Sequence, residues 1–287
     1  MKDVRESREF ITALARGLSV LQAFDRDRPE LTLSELAGVT GLPPGTVRRC
    51  LITLQGLQYV GAEGRKFFLL PRVISIGAAY LDAARLEEVI LPHLRELVAT
   101  TGESSSLGIL DGDCVLHLAN YSAKRRIRMT AGVGSRLPAH ATSLGRVLLA
   151  SMPPARLDAY FAQASLRKMT ARTVTDAAQL RRILREVGRQ GFARVVGELE
   201  EGLSSVAVPV RVAGRTVAAI NSSTFFREKE AAKVSAARLS ALREATTAIA
   251  RVVARVPALL NSFAPEDEAS RSGLSPPGRP SSRRSDL

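Results

Sequence analysis

The chain has 287 residues, is 45% hydrophobic and 24% charged, and carries a formal net charge of +13 with only two cysteines. That length allows two domains with separate cores, and no apolar run approaches the ~20 residues of a membrane span. A charged start (MKDVRESREF) without an apolar signal-peptide core, and cysteines as far apart as Cys50 and Cys114, point to a cytoplasmic protein with neither a disulfide framework nor a metal cluster.

Residues 8–25 (REFITALARGLSVLQAFD) predict an amphipathic helix with Phe10, Leu14, Leu18, Leu21 and Phe24 on its core stripe. Two short helices follow in LTLSELAGVTGLPPGTVRRCLITLQGL, residues 31–57. Thr32 and Glu35 have capping-box spacing, which starts the first at Leu33; Gly41 stops it in a left-handed cap. Pro43 and Pro44 suit the first turn of the second helix. There Val47, Leu51 and Leu54 recur at i, i+4, i+7 and face a core, leaving Thr46, Arg48, Arg49 and Thr53 on the other side. This is a helix-turn-helix, whose second helix can enter a major groove. An ordinary helical hairpin with a solvated basic face is the alternative.

YVGAEGRKFFLL then predicts two strands around a tip at Gly61–Gly64, with Arg65 and Lys66 beside it. The hairpin makes the unit a winged helix whose basic pair can touch phosphate or the minor groove. Pro71–Ala83 reads as a linker helix and Leu86–Thr101 as the first helix of a second domain, with a break or kink near Leu91–Pro92. The expected domains are therefore 1–84, 85–263 and a Ser-, Pro- and Arg-rich tail, 264–287, predicted to be disordered.

The second domain mixes strands and helices. A hairpin turns at Asp111–Gly112–Asp113, with only approximate alternation in Val115, Leu118 and Tyr121. RIRMTAG predicts another strand, and Gly132–Gly134 with Pro138 a loop. Helices follow from about Ala141, at Pro154–Gln163 and at Asp176–Gln190, then the strand GFARVVGE. A hairpin of Ser204–Val212 and Arg215–Ser222 and a last helix, Lys233–Leu260, complete an α+β sandwich.

The charge excess lies mostly in this second domain: residues 1–85 hold 12 basic and 9 acidic side chains, residues 86–263 hold 25 and 15, and the tail holds 4 and 4. Bulk charge permits DNA binding without locating it. No catalytic arrangement is present in the sequence: there is no G-x-S-x-G, H-E-x-x-H or G-x-G-x-x-G motif. Gly197 and Gly202 have P-loop spacing, but Leu203 stands where the lysine is needed. His93 and His117 read as structural, while His140 divides between a ligand contact and a supporting role. The domain does offer a polar cup. The helix from about Ala141 presents free N–H groups suited to a carboxylate; Ser143, Ser205, Asn221, Ser222 and Ser223 supply uncharged partners, and Arg128 and Arg136 can neutralise an anion.

From Glu9 to Phe263 the sequence resembles the IclR family of transcriptional regulators. The likeness is carried by LARGLSVLQAF, LTLSELAGVTGLPPGTVRRCLITL, GRKFFLLPRVISIG, VGSRLPAHATSLGRVLLA, ELEEGLSSVAVPV and VAAINSST. The last three look most like the branch controlling aromatic-acid catabolism, the PcaR/PobR type. The resemblance implies a winged helix-turn-helix joined by a linker helix to a GAF-like effector-binding domain. It also implies double-stranded promoter DNA as partner, homodimers that can pair into tetramers, no cofactor, and a small carboxylic acid as effector. The family's effector contacts carry over to Ser143, Leu144, Ser205, Asn221 and Ser223. An acid in the glyoxylate-responsive members aligns with Val195, which implies a more apolar ligand such as an aromatic acid of the protocatechuate, 4-hydroxybenzoate or β-ketoadipate pathway. Regulation by glyoxylate or acetate, or an enzyme with a vestigial DNA-binding domain, are the alternatives.

Overall fold

A computed structural model describes residues 7–25, 27–123, 132–225 and 236–263. Arg128, most of the strand expected at RIRMTAG, the first residues of the last helix and the tail from Ala264 lie outside them. The chain forms two compact units, which divide between Tyr80 and Leu81.

The first unit begins with α1 (Thr12–Leu21), a shorter helix than the 8–25 span expected. The stripe also differs. Val20, Ala23 and Phe24 are buried, whereas Leu14 and Leu18 are 60% and 45% exposed. Leu21 and Phe24 of the expected stripe do pack in the core, beside Val20, which lies roughly 200° round the helix from Leu18, so the core face is turned from the expected one. Both faces carry apolar residues three or four apart, which is why spacing alone could not choose between them. β1 (Glu30–Thr32) leads directly into α2 (Leu33–Thr40). The capping box forms as expected: Glu35 N–H donates to Thr32 Oγ1, Thr32 N–H donates to Glu35 Oε2 at 2.7 Å, and Gly41 adopts φ +68°. Next comes α3 (Pro44–Gly56), burying Val47, Leu51 and Leu54 against Val20, Leu36 and Val60.

The wing is β2 (Val60–Glu63) and β3 (Lys66–Leu69), turning at Gly64 with φ +58°. β1 joins them in the order β1-β3-β2, a third strand too short to be read from its sequence.

A 3-10 turn at Pro71–Val73 precedes α4 (Ile74–Ala84), and Arg85 at φ +47° separates it from α5 (Leu86–Val89) and α6 (Leu91–Thr101). The break expected near Leu91–Pro92 falls at Ile90, two residues before the proline. The second unit is built on one antiparallel sheet. Its strands are β4 (Ser104–Asp111), β5 (Cys114–Tyr121), β6 (Arg136–Pro138), β7 (Ala193–Val196), β8 (Leu203–Val212) and β9 (Arg215–Phe225), in the order β6-β5-β4-β9-β8-β7. β6 occupies part of the segment expected to be loop, and pairs with Cys114–Leu116. α7 (Ser143–Ala150), α8 (Pro154–Gln163) and α9 (Ala177–Gln190) belong to the layer whose apolar side chains meet Val115, Ala193, Ala207 and Ala219. α10 (Ala236–Arg255) packs on β8, β9 and α6, with α11 (Pro257–Phe263) after it. This is a winged helix-turn-helix followed by an α/β domain, the fold class expected.

Candidate functional site

The start of α7 is held by a chain of local interactions. Thr142 caps it, accepting from Gly145 N–H at 3.1 Å. Gly145 itself is required by a close approach: a Cβ there would stand 2.2 Å from the Ala139 carbonyl oxygen, so only glycine lets the helix sit on the turn Ala139–Ala141. Arg146, only 3% exposed, pairs with Glu198 at 2.6 Å and donates through Nε to the His140 carbonyl at 2.9 Å. Glu198 also accepts from Val174 N–H, and its own carbonyl accepts from Thr173 Oγ1. Two loops are thereby tied to α7. The glycines at 197 and 202 flank this anchor rather than a phosphate loop.

A cavity of about 50 Å³ opens beside that helix N-terminus. Six of the effector residues expected from sequence line it: Ser143, Leu144, Val195, Ser205, Asn221 and Ser223. Strand pairing explains the grouping, since Val195↔Ser205↔Ser223 are cross-strand partners on one face and Asn221 lies two residues from Ser223. Ser143 and Ser205 hydroxyls are 2.7 Å apart, Asn221 Nδ2 donates to Ser205 Oγ at 3.1 Å, and Asn221 Oδ1 accepts from Ser106 N–H at 2.8 Å. As the first two residues of α7, Ser143 and Leu144 have N–H groups with no carbonyl a turn behind them. Leu137, Leu199, Leu203 and Phe225 supply an apolar wall.

Two expected members, His140 and Arg136, are not part of that lining. His140 is buried with Nε2 on the Arg167 carbonyl at 3.0 Å, and burial lowers its pKa; it supports the loop behind α7. Arg136 pairs with Asp111 at the sheet edge, where unlike charges lie across the hairpin end. Arg128 lies outside the described residues. Ser222, named for the cup, points to the opposite face with Glu103 and Arg238, because neighbours along a strand alternate sides. No cation lines the cavity among the described residues.

One lining residue was read from sequence as merely structural. His117 is 3% exposed, and neither ring nitrogen has a hydrogen-bond partner among the described residues. Burial depresses its pKa to about 4, so the imidazole is neutral at physiological pH.

In the first unit Arg48, Arg49 and Thr53 are exposed on α3 and Thr46 is half-buried. The hydroxyl of Thr53 turns back to the Arg49 carbonyl at 3.1 Å. Neither arginine makes an ion pair among the described residues, so both guanidinium groups are available. Ile52, 55% exposed, shares that face, and polar patterning gave no reason to single it out. The two basic wing residues part company: Arg65 is exposed at the turn, whereas Lys66 begins β3 with its ammonium 3.2 Å from Glu30.

Residues 13–64 match the IclR helix-turn-helix domain and residues 78–252 match the bacterial transcriptional regulator IclR C-terminal domain. The chain belongs to the IclR family. Its relatives in that family are transcriptional regulators, not enzymes. It is 40% identical to the Pca regulon regulatory protein of Pseudomonas putida over 218 residues, 75% of each chain. It is 33% identical to the p-hydroxybenzoate hydroxylase transcriptional activator of Acinetobacter baylyi over 219 residues, 74% of this chain and 81% of that one. The crystal structure of an IclR homolog complexed with 4-hydroxybenzoate from Microbacterium hydrocarbonoxydans superimposes with a TM-score of 0.67 at 28% identity, covering 86% of this chain and 99% of that one. Like other IclR regulators, the chain couples a DNA-binding helix-turn-helix to an effector-binding domain. No described helix is long and apolar enough to cross a membrane.

Proposed function

We propose that this IclR regulator is a cytoplasmic homodimer that binds a two-fold promoter site and responds to a small aromatic carboxylic acid held in the cavity beside α7. The observation that carries this reading is the cavity's composition. Two helix N–H groups, backed by the Ser143–Ser205–Asn221 network, face an apolar wall of Val195, Leu199, Leu203 and Phe225. A carboxylate is stabilised by the helix N-terminus, and an aromatic ring by the apolar side. The relatives named for the pca regulon and p-hydroxybenzoate hydroxylase, and the homolog holding 4-hydroxybenzoate, support the same ligand class.

The cavity of about 50 Å³ is smaller than the ~150 Å³ that holds a benzene ring, so a ring enters only as its walls move. That movement gives the ligand unequal affinity for two states, the requirement for shifting an equilibrium. Dimers are favoured because one short recognition helix covers few base pairs, and because Ile11, Leu14 and Leu18 on or beside α1, and Ile74 and Ile76 on α4, expose apolar side chains that a second copy can cover. Arg48, Arg49, Thr46 and Thr53 form the base-reading surface, with Arg65 and Lys66 on phosphate. The functional division is 1–84 for DNA, 85–263 for effector.

Calorimetric titration of 4-hydroxybenzoate and protocatechuate tests the site. Wild type should bind at least one of them, and Ser205→Ala with Ser223→Ala should weaken that binding by ~1–3 kcal/mol, the worth of one or two hydrogen bonds. DNA binding without the acid should be unchanged. A double variant that titrates like wild type would place the acid elsewhere.

A further inference from the structure

His117 comes to the cavity through an irregularity in β5. Along the β4–β5 pair, Leu107 is opposite Ala119 but Gly108 is opposite His117, so Leu118 is an extra residue. Strict alternation from Asn120 would turn residue 117 to the α10 side; the bulge returns it to the α7 side. There Val115 and Leu144 close over its partner Gly108. The imidazole ends up almost without solvent contact and with both nitrogens unbonded. Ser106 lies one strand away on the same face as Asn221, and its hydroxyl is likewise buried and unbonded. Buried polar groups are nearly always hydrogen-bonded. Two unbonded ones side by side, one of them lining a cavity, mark where an incoming polar group belongs.

We propose that His117 reads a ring hydroxyl of the effector, making the cavity selective for hydroxylated single-ring acids over the unsubstituted acid. This rests on the cavity being the effector site. Orientation follows from charge. A neutral imidazole offers one donor and one acceptor and no net attraction for a carboxylate, so the carboxylate goes to the N–H groups of Ser143 and Leu144.

The test is calorimetry on the full chain with benzoate, 4-hydroxybenzoate and protocatechuate. Wild type should prefer the hydroxylated acids by on the order of tenfold, the effect of one hydrogen bond to a desolvated partner. His117→Phe should bind benzoate at least as well as wild type does and lose the preference; His117→Gln, which keeps a donor and an acceptor, should recover part of it. Should His117→Phe not fold, imidazole nitrogen chemical shifts in wild type give the same answer: 4-hydroxybenzoate should move them and benzoate should not. A preference that survives in His117→Phe, no preference in wild type, or identical shifts with both acids would overturn the proposal. If wild type binds none of the three, the effector reading fails and takes this inference with it. Equal binding of all three leaves the site standing and removes only the role of His117.

Discussion

Replacing Arg146 with methionine should destabilise the second unit by about 3–5 kcal/mol, the cost of stranding one member of a buried ion pair. Arg146 and Glu198 are almost wholly out of solvent and 2.6 Å apart, so methionine fills the volume but leaves the Glu198 carboxylate without its counter-charge. The loss extends beyond the pair. Arg146 Nε also holds the His140 carbonyl, and Glu198 holds Val174 N–H, so the loops on either side of the cavity loosen together. In a domain of this size each kcal/mol lowers the melting temperature by about 2–4 °C. Calorimetric melting should show the transition of the second unit shifted accordingly, with that of the helix-turn-helix unmoved. Combining Arg146→Met with Glu198→Leu should recover much of the loss, because neither charge is then buried alone. A single variant that melts within a degree or two of wild type would show that the pair does not anchor α7.

Arg48→Ala with Arg49→Ala should abolish useful promoter affinity. A bidentate arginine–guanine contact is worth ~1–3 kcal/mol, and a dimer on a two-fold site loses each contact twice, so the expected loss is on the order of a hundredfold or more. Both guanidinium groups are exposed on the polar side of α3, while Val47, Leu51 and Leu54 hold that helix to the core. The double variant should therefore fold normally. The singles should separate the two roles: loss of a base contact relaxes sequence preference, whereas loss of a phosphate contact weakens all sequences and lowers the salt dependence. Filter or anisotropy binding to specific and scrambled duplexes measures both. Unchanged affinity in the double variant would remove α3 from the groove.

Much of this architecture was legible because its signals are local. The capping box of Thr32 and Glu35 and the left-handed Gly41 are each decided within one turn of chain, and each appears where its spacing put it. The grouping of Ser143, Leu144, Val195, Ser205, Asn221 and Ser223 followed from the family likeness, and strand register gives it a physical basis. What stayed hidden depends on contacts distant in sequence. The orientation of α1 is set by what it packs on, and its two apolar faces look alike in spacing. The Arg146–Glu198 pair joins residues 52 positions apart. Arg136 turns to Asp111 across the hairpin rather than to the cavity. His117 was hidden by a bulge, which leaves only the imperfect alternation of Val115, Leu118 and Tyr121 as its trace in the sequence.

Coupling between promoter DNA and an acid in one molecule, each altering the binding of the other, is the property on which the proposed function turns. Its most direct test is fluorescence anisotropy of the wild-type chain on the promoter fragment it protects, titrated with and without saturating 4-hydroxybenzoate or protocatechuate. An acid that binds in calorimetry should shift promoter affinity, by a coupling of typically ~1–3 kcal/mol. Promoter DNA should then shift the affinity for that acid by the same factor, as linkage requires. An acid that fills the cavity yet leaves the promoter isotherm unmoved would contradict it.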